Sequence, residues 1–72
     1  MLVKIFERIL VDWNYTDRFL KEEDFEPGCL PLIGDILYIG NMCYKVEERR
    51  IHPSSYTESQ YFDLIVKFKH YV

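Results

Sequence analysis

The chain has 72 residues and a mass of 8.8 kDa, which suits one domain spanning residues 1–72. Hydrophobic residues make up 49% of it and aromatic residues 17%, too much for an intrinsically disordered chain, and the net charge of -3 disfavours a large nucleic-acid footprint. Because a chain this small has little room for a deep internal pocket, an enzyme is not expected.

The sequence also points to a compartment. No segment approaches the roughly 18 apolar residues of a membrane-spanning helix, and Lys4 and Glu7 interrupt the apolar start too early for the core of a signal peptide. We therefore expect a cytoplasmic protein. Cys29 and Cys43 do not form a CxxC motif, and in that compartment we expect both to be free thiols.

Residues 2–13 alternate between apolar and polar side chains. The odd positions from Val3 to Trp13 are apolar except for Glu7, and β-branched residues are frequent. A period of two predicts a long β-strand with one buried face. Glu7 breaks that face, so we expect it to mark a β-bulge or a sheet edge.

The next segment, residues 15–26, fits two structures. In a helix, Asp17 would be the N-terminal cap, good helix formers would follow, and Pro27 would end the helix. In a strand, the chain would turn back through residues 12–15 and pair with the first strand. The strand is favoured because a short sheet needs partners on both sides to bury its apolar face.

Residues 35–49 are typical of a β-hairpin. Two strand-like runs flank Gly40 and Asn41, and glycine at the first position of a two-residue turn adopts a positive φ without steric cost, as a type II′ turn requires. Residues 51–59 then form the loop to a last strand, residues 60–72, whose even positions are mostly apolar.

The fold expected from these elements is all-β. Four or five antiparallel strands would form a small barrel or roll, with one short helix at 16–25 as the alternative for the ambiguous segment. The predicted core residues are Val3, Ile5, Ile9, Val11, Ile36, Tyr38, Met42, Tyr44, Val46, Phe62, Leu64, Val66 and Phe68.

Part of the chain resembles a pattern found in small bacterial and phage-associated β-domains. The pattern is Pro-x-x-Gly-Asp at the start of a hairpin, met here by Pro31–Asp35, then an aromatic-x-Val, met by Tyr44–Val46, and a final hydrophobic strand. The resemblance covers residues 30–72 and implies an SH3-like or similar small barrel. A structural role accounts for the motif, since Gly34 supplies a tight bend and Asp35 accepts hydrogen bonds from nearby backbone donors.

Motifs for catalysis and metal binding are missing from the sequence. It has no phosphate-binding glycine loop, HExxH or GxSxG motif. His52, His70 and the two cysteines lack the close spacing of zinc ligands, and Cys43 has no neighbouring helix N-terminus to activate its thiol. We expect His52 in a solvated turn and His70 at the barrel rim, on the parity of the apolar face. No catalytic residue, metal site or cofactor is therefore predicted.

One predicted surface combines basic and aromatic side chains. If the second hairpin strand pairs with the last strand, their solvent-facing sides suit single-stranded nucleic acid, because bases stack on rings while cations contact phosphates. An ordinary charged sheet face is the competing interpretation, since Glu47 and Asp63 share the same parity. The candidate binding residues are Lys45, Arg49, Arg50, Tyr61, Lys67, Lys69 and Tyr71.

The leading functional expectation is a non-catalytic protein-interaction or accessory module, carried by a phage or mobile element. One candidate contact is an exposed edge of the first or last strand, which would pair with a strand of a partner protein or of a second copy. The other is a surface rich in tyrosines, which would supply interface anchors. Those tyrosines are Tyr15, Tyr56, Tyr61 and Tyr71. The alternatives are a nucleic-acid-binding barrel that uses the basic and aromatic face, and an inhibitor that blocks a basic site through the acidic residues 17–26.

Overall fold

Five β-strands build the structure. The computed structural model describes the backbone of residues 1–52 and 61–72, and their side chains except those of His52 and Tyr61. The strands are β1 (Leu2–Val11), β2 (Asn14–Asp24), β3 (Ile36–Ile39), β4 (Met42–His52) and β5 (Tyr61–Tyr71). A three-residue 3₁₀ helix, Pro27–Cys29, is the only helix in these two ranges.

The sheet consists of two hairpins joined by a central strand, in the order β2-β1-β5-β4-β3. β1 and β2 are antiparallel, as are β3 and β4, and β5 lies between the hairpins. The all-β prediction is confirmed, but antiparallel pairing throughout is wrong for β1 and β5. Both strands begin at the same end of the sheet, where Leu2 pairs with Tyr61, so they run parallel. β2 and β3 remain edges, and the sheet does not close into a barrel.

The ambiguous segment is a strand, as favoured. The chain reverses at Asp12 and Trp13, and β2 then pairs with the whole length of β1. A helix at 16–25 is therefore wrong. The strand is the more stable structure here because it supplies hydrogen-bond partners to the backbone groups on one side of β1. A helix at 16–25 would leave those groups without protein partners.

The remaining predicted elements are confirmed with small changes at their ends. The first strand ends at Val11 rather than at residue 13, and the last strand spans Tyr61–Tyr71. The second hairpin strand continues through Ile51 and His52, which the sequence assigns to a loop. The rest of that predicted loop lies outside the described residues.

The core lies on one face of the sheet, where side chains of β1, β4 and β5 pack together. Phe25 and Leu30, from the segment that connects β2 to β3, pack against it. Met42 and Phe68 are half-buried at its margin, as predicted. The fully packed members are the predicted core residues Val3, Ile5, Tyr44, Val46, Phe62, Leu64 and Val66.

The alternation of β3 is opposite to the prediction. The two-residue turn places Ile39 directly opposite Met42, so these two residues share a face of the sheet. Leu37 and Ile39 therefore pack against the core, whereas Ile36 and Tyr38 are exposed.

Burial differs from the prediction at four other positions. Val11 is exposed because β1 pairs with β5 only in its first half, and Ile9 is half-buried for the same reason. Cys43 and Ile65 lie on the face opposite the core and are nevertheless buried. The second face is thus more than a plain solvated surface.

Both glycine turns form as predicted. Gly40 has a φ of +62° and is the first residue of the turn between β3 and β4. Gly34 has a φ of +95°, and Asp35 Oδ2 accepts a hydrogen bond from Leu32 N at 2.8 Å. A Cβ at either glycine would meet no atom within 4 Å, so only the backbone conformation requires glycine there.

Three β-bulges interrupt the alternation of the strands. Leu20 is the extra residue of β2, Glu47 that of β4 and Lys69 that of β5. Glu7, expected to mark a bulge or an edge, lies next to the first bulge and is buried. Beyond each bulge, side chains occupy the opposite face from the one that counting by twos assigns.

Candidate interaction surfaces

The far half of the β1–β2 hairpin parts from the central strand. β1 pairs with β5 from Leu2 to Glu7, so residues 8–17, which we name the arm, continue as a two-stranded ribbon. At its tip Asp12 has a φ of +50° and Trp13 a φ of +68°, the left-handed region that favours glycine. Trp13 is 92% exposed.

Sequence reasoning places Trp13 wrongly. Counting by twos puts it on the apolar face of the first strand, but β1 ends two residues earlier and Trp13 occupies the turn. One signal could have located the turn: Asp12 and Asn14, residue types that tolerate left-handed backbone, flank the tryptophan between two alternating runs.

Exposed large apolar side chains are grouped at two places on the sheet, and others, such as Phe19 and Ile51, lie outside these groups. On the arm, Leu10 and Tyr15 pair across the strands, and Val11 lies beside the turn. At the opposite edge, the exposed side chains are Leu32, Ile33, Ile36 and Tyr38. Concentrated apolar exposure of this kind marks interaction sites.

The predicted basic and aromatic face is present in part. Lys45 and Lys67 lie directly opposite each other on β4 and β5. Lys69, the extra residue of the β5 bulge, is exposed and lies next to Lys45 and Lys67 around one surface depression. Arg50 is held in ion pairs described below. The side chain of Tyr61 lies outside the described residues.

Two of the predicted binding residues lie on the other side of the sheet. After the bulge at Glu47, Arg49 turns to the core face, with its guanidinium carbon 5.4 Å from the centre of the Phe62 ring. Its buried Nε has no hydrogen-bond partner among the described residues. After the β5 bulge, Tyr71 packs edge-on against Phe68, with ring centres 5.0 Å apart. A prediction from strict alternation takes no account of these bulges. It therefore places both residues on the same face as the lysines.

The lysines line a groove at the fork where the arm parts from β5. The groove consists of two adjoining depressions that share Glu47 and Lys67. The smaller, of about 210 Å³, lies against Arg8 and Tyr15 of the arm. The larger, of about 370 Å³, is lined by Lys45, Phe68, Lys69 and His70. We name the two depressions together the basic groove, because Glu47 is its one acidic lining residue.

Four charged side chains near the groove form a closed ring of ion pairs. Arg8 contacts Asp17 at 3.4 Å and Glu48 at 3.3 Å, and Arg50 contacts the same carboxylates at 3.3 Å and 2.7 Å. The ring has no net charge and connects β2, β1 and β4 across β5. The hydrogen bond to Glu48 raises the pKa of Arg50 above its usual value. Arg50 is therefore engaged within the protein.

A second ion pair lies at the base of the arm, on the core face. The Glu7 carboxylate is largely buried and contacts the exposed guanidinium of Arg18 at 2.7 Å. Burial, and next the negative charge of Glu7, raise the pKa of the Tyr44 hydroxyl above its usual value of 10.0. That hydroxyl donates a hydrogen bond to Met42 Sδ at 3.2 Å. The Glu7–Arg18 pair thus connects β1 to β2 at the base of the arm.

The acidic residues 17–26 do not form one surface. Asp17 belongs to the ring of ion pairs, and Glu23 contacts Lys21 at 2.6 Å. Asp24 accepts a hydrogen bond from the N-terminal ammonium at 2.7 Å. Part of the negative charge of this segment is therefore neutralised by ion pairs with other groups of the protein.

An open cleft separates the two edges of the sheet. It has a volume of about 280 Å³, with an apolar lining of Ile5, Phe25, Leu37 and Ile39. Its two charged lining residues, Lys21 and Glu23, pair with each other. The cleft therefore offers no unpaired charge to select a ligand.

The histidines and cysteines do not assemble into a site. His70 is exposed opposite Cys43, because the bulge at Lys69 moves it off the apolar-face parity. Both cysteines are free, Cys29 exposed and Cys43 buried. Within the described residues, no three His, Cys, Asp or Glu side chains are placed to hold a metal ion. The same part of the chain contains no helix long and apolar enough to cross a membrane.

Comparison of the chain with protein-family models, with curated proteins and with solved structures finds no match. The fold presents two open surfaces, which are the apolar tip of the arm and the basic groove at the fork where the arm parts from β5.

Proposed function

We propose that this chain is a non-catalytic module that binds another protein, and that the tip of the arm is its main contact. The conformation and exposure of Trp13 carry this proposal. A left-handed backbone costs roughly 1–2 kcal/mol for a residue with a side chain, and the turn has two such residues, Asp12 and Trp13. Because the indole is exposed, its packing does not offset that conformational energy.

A cost without a structural gain is the mark of a functional position. Asn-Gly is the favoured sequence for this kind of two-residue turn, and it would remove the strain. Residues that break a local rule in this way cluster at functional sites. Tryptophan is among the residues most enriched at the energetic centres of protein interfaces.

The arm is suited to enter an apolar pocket of a partner protein. Leu10, Val11 and Tyr15 surround the turn with further exposed apolar surface. The ion pairs of Arg8 with Asp17 and of Glu7 with Arg18 connect the two strands of the hairpin at the base of the arm. A ribbon ordered before binding loses little conformational entropy when it docks.

The wider setting of this function follows the sequence resemblance. Pro31–Asp35 and Tyr44–Val46 support our proposal that the chain is related to small SH3-like domains of phages or mobile elements. On the same basis we propose an accessory role in the cytoplasm.

The test compares three purified baits in capture from the native host. They are the wild type, the double variant Asp12→Asn/Trp13→Gly, and Tyr38→Ala, which removes another exposed ring at the other edge. We expect a protein that the wild type and Tyr38→Ala capture and the double variant does not. Equal capture by all three baits would exclude the arm.

A second measurement uses Trp13 itself, since it is the one tryptophan of the chain. Adding the purified captured protein should shift its fluorescence to shorter wavelength and protect it from iodide quenching, because the indole leaves water. An unchanged emission in the complex would contradict burial of Trp13.

A further inference from the structure

The basic groove lies apart from the arm tip and has its own chemistry. Lys45 and Lys67 face each other directly across β4 and β5. Like charges in this arrangement destabilise a sheet. Lys45, Lys67 and Lys69 form no ion pair with any described residue, whereas Arg8 and Arg50 each contact two carboxylates. Three cations without partners on one wall of a groove are complementary to a polyanion.

The charge of the protein is separated along the strands. The groove occupies the end of the sheet where β5 finishes, while Asp24 pairs with Leu2 at the other end of the hairpin. The neighbouring acidic residues Glu22, Glu23 and Glu26 accompany Asp24 there. A polyanion that approaches the groove therefore meets positive charge, although the net charge of the chain is -3.

An aromatic ring completes the groove. Tyr15 is exposed on the arm side of the fork and lines the smaller depression, whereas the ring of Phe68 packs on the core face. Lysines beside an exposed ring suit a single strand, whose phosphates meet the cations while a base stacks on the ring. An acidic peptide would use the lysines but would leave Tyr15 without a stacking partner.

We propose that the basic groove binds single-stranded nucleic acid without regard to sequence. Lys45, Lys67 and Lys69 contact successive phosphates, and Tyr15 stacks on a base. This is a second function that does not use Asp12 or Trp13 at the arm tip, although Tyr15 of the arm belongs to both surfaces. It differs from the face expected from the sequence, because Arg49 and Tyr71 are on the other side of the sheet and Tyr15 takes part.

The experiment is fluorescence anisotropy with labelled oligothymidine of about 12 nucleotides, within the range of single-strand site sizes. Release of counterions from about three phosphates gives a slope of about -2 in log K against log salt. Affinity should therefore fall about 15- to 20-fold between 50 and 200 mM salt. No binding at 50 mM salt would overturn the proposal.

Matched charge variants locate the site. Lys67→Glu should weaken binding more than 10-fold, and it should keep the fold because the new carboxylate faces Lys45. Lys21→Glu makes the same change of net charge far from the groove, and it should weaken binding less than 2-fold. Equal losses in the two variants would show attraction to the whole protein and would overturn the groove assignment.

Further measurements distinguish a nucleic acid from an acidic protein as the ligand. They also distinguish binding at the groove from binding at the arm tip. Tyr15→Ala should weaken binding, whereas Asp12→Asn/Trp13→Gly should bind the oligonucleotide like the wild type. Polyglutamate of the same charge should compete poorly. Competition as strong as that of unlabelled oligothymidine would identify an acidic protein surface as the ligand and overturn the proposal.

Discussion

The two hairpins of this protein use the same kind of connection in opposite ways. The β3–β4 hairpin turns at Gly40 and Asn41, where glycine takes the positive φ at no cost, and Leu37, Ile39, Tyr44 and Val46 pack in or against the core. The β1–β2 hairpin turns at Asp12 and Trp13, where two residues with side chains take positive φ and the larger one is exposed.

The difference indicates that the turn of β3–β4 is optimised for stability, whereas the turn of β1–β2 is not. The turn of the β3–β4 hairpin satisfies the local rules, because glycine occupies the position with a positive φ. The β1–β2 hairpin breaks the rules for turns and burial at Trp13, and the fold offers nothing in exchange. The protein contact proposed above would account for that residue.

The largest expected effect compares two matched valines, one from each hairpin. Val46 is 0% exposed and Val11 is 47% exposed. Val46→Ala removes packed methyl groups and leaves a cavity, so the free energy of unfolding should fall by about 2–3 kcal/mol. Val11→Ala should change it by less than about 0.5 kcal/mol. Urea unfolding measures both, and a similar loss in the two variants would show that the arm is part of the core.

The next effect concerns the base of the arm. Arg18→Met removes the partner of the largely buried Glu7, so we expect a loss of about 1–3 kcal/mol in the free energy of unfolding. The double variant Glu7→Leu/Arg18→Met removes both charges and should recover most of that loss. If the double variant were as unstable as the single one, packing of the Arg18 stem would matter more than its charge.

The turns themselves should respond in opposite directions. Asp12→Asn/Trp13→Gly relieves two strained residues and should raise the free energy of unfolding by about 1 kcal/mol. Gly40→Ala introduces strain at a φ of +62° and should lower it by about 1 kcal/mol, with no steric clash involved. Thermal unfolding reports both changes. A destabilised double variant would mean that Trp13 supports the free protein and would remove the main argument for a partner.

The smallest effect appears only at high pH. The raised pKa of Tyr44 means that the unfolded chain loses this proton first, so its contribution to stability is complete below pH 10 and is lost as the pH rises through the folded-state pKa. Tyr44→Phe should therefore flatten the alkaline part of the stability–pH curve, measured by urea unfolding from pH 8 to 11. An unchanged slope would contradict the shift.

Much of the fold can be read from local pattern. The alternation of β1 as far as Ile9 and of β5 as far as Phe68, the Gly40 turn and the Gly34–Asp35 bend all depend on neighbouring residues, and the sequence predicts them correctly. The segment 15–26 is settled by pairing with β1, a contact that no local pattern contains. The parallel pairing of β1 with β5 is likewise a long-range choice between two edges.

The site is harder to predict because bulges change the face of the sheet on which the following side chains lie. A single extra residue at Glu47 moves Arg49 to the core and brings Arg50 to the side of Lys45. No feature of the β4 sequence marks that position, since a bulge depends on how two strands fit together. Tyr15 enters the groove only because the arm parts from β5, which no count along one strand reveals.

The central position of β5 sets the order in which the sheet can form. Each hairpin closes between neighbouring residues, an event of microseconds, but neither can bury its apolar side until β5 lies between them. That last step joins residue 2 to residue 61 and carries the entropy of closing most of the chain into a loop. Docking of β5 should therefore limit the folding rate. Until it happens, both hairpins present bare apolar edges, and the nascent protein is at its most prone to aggregate.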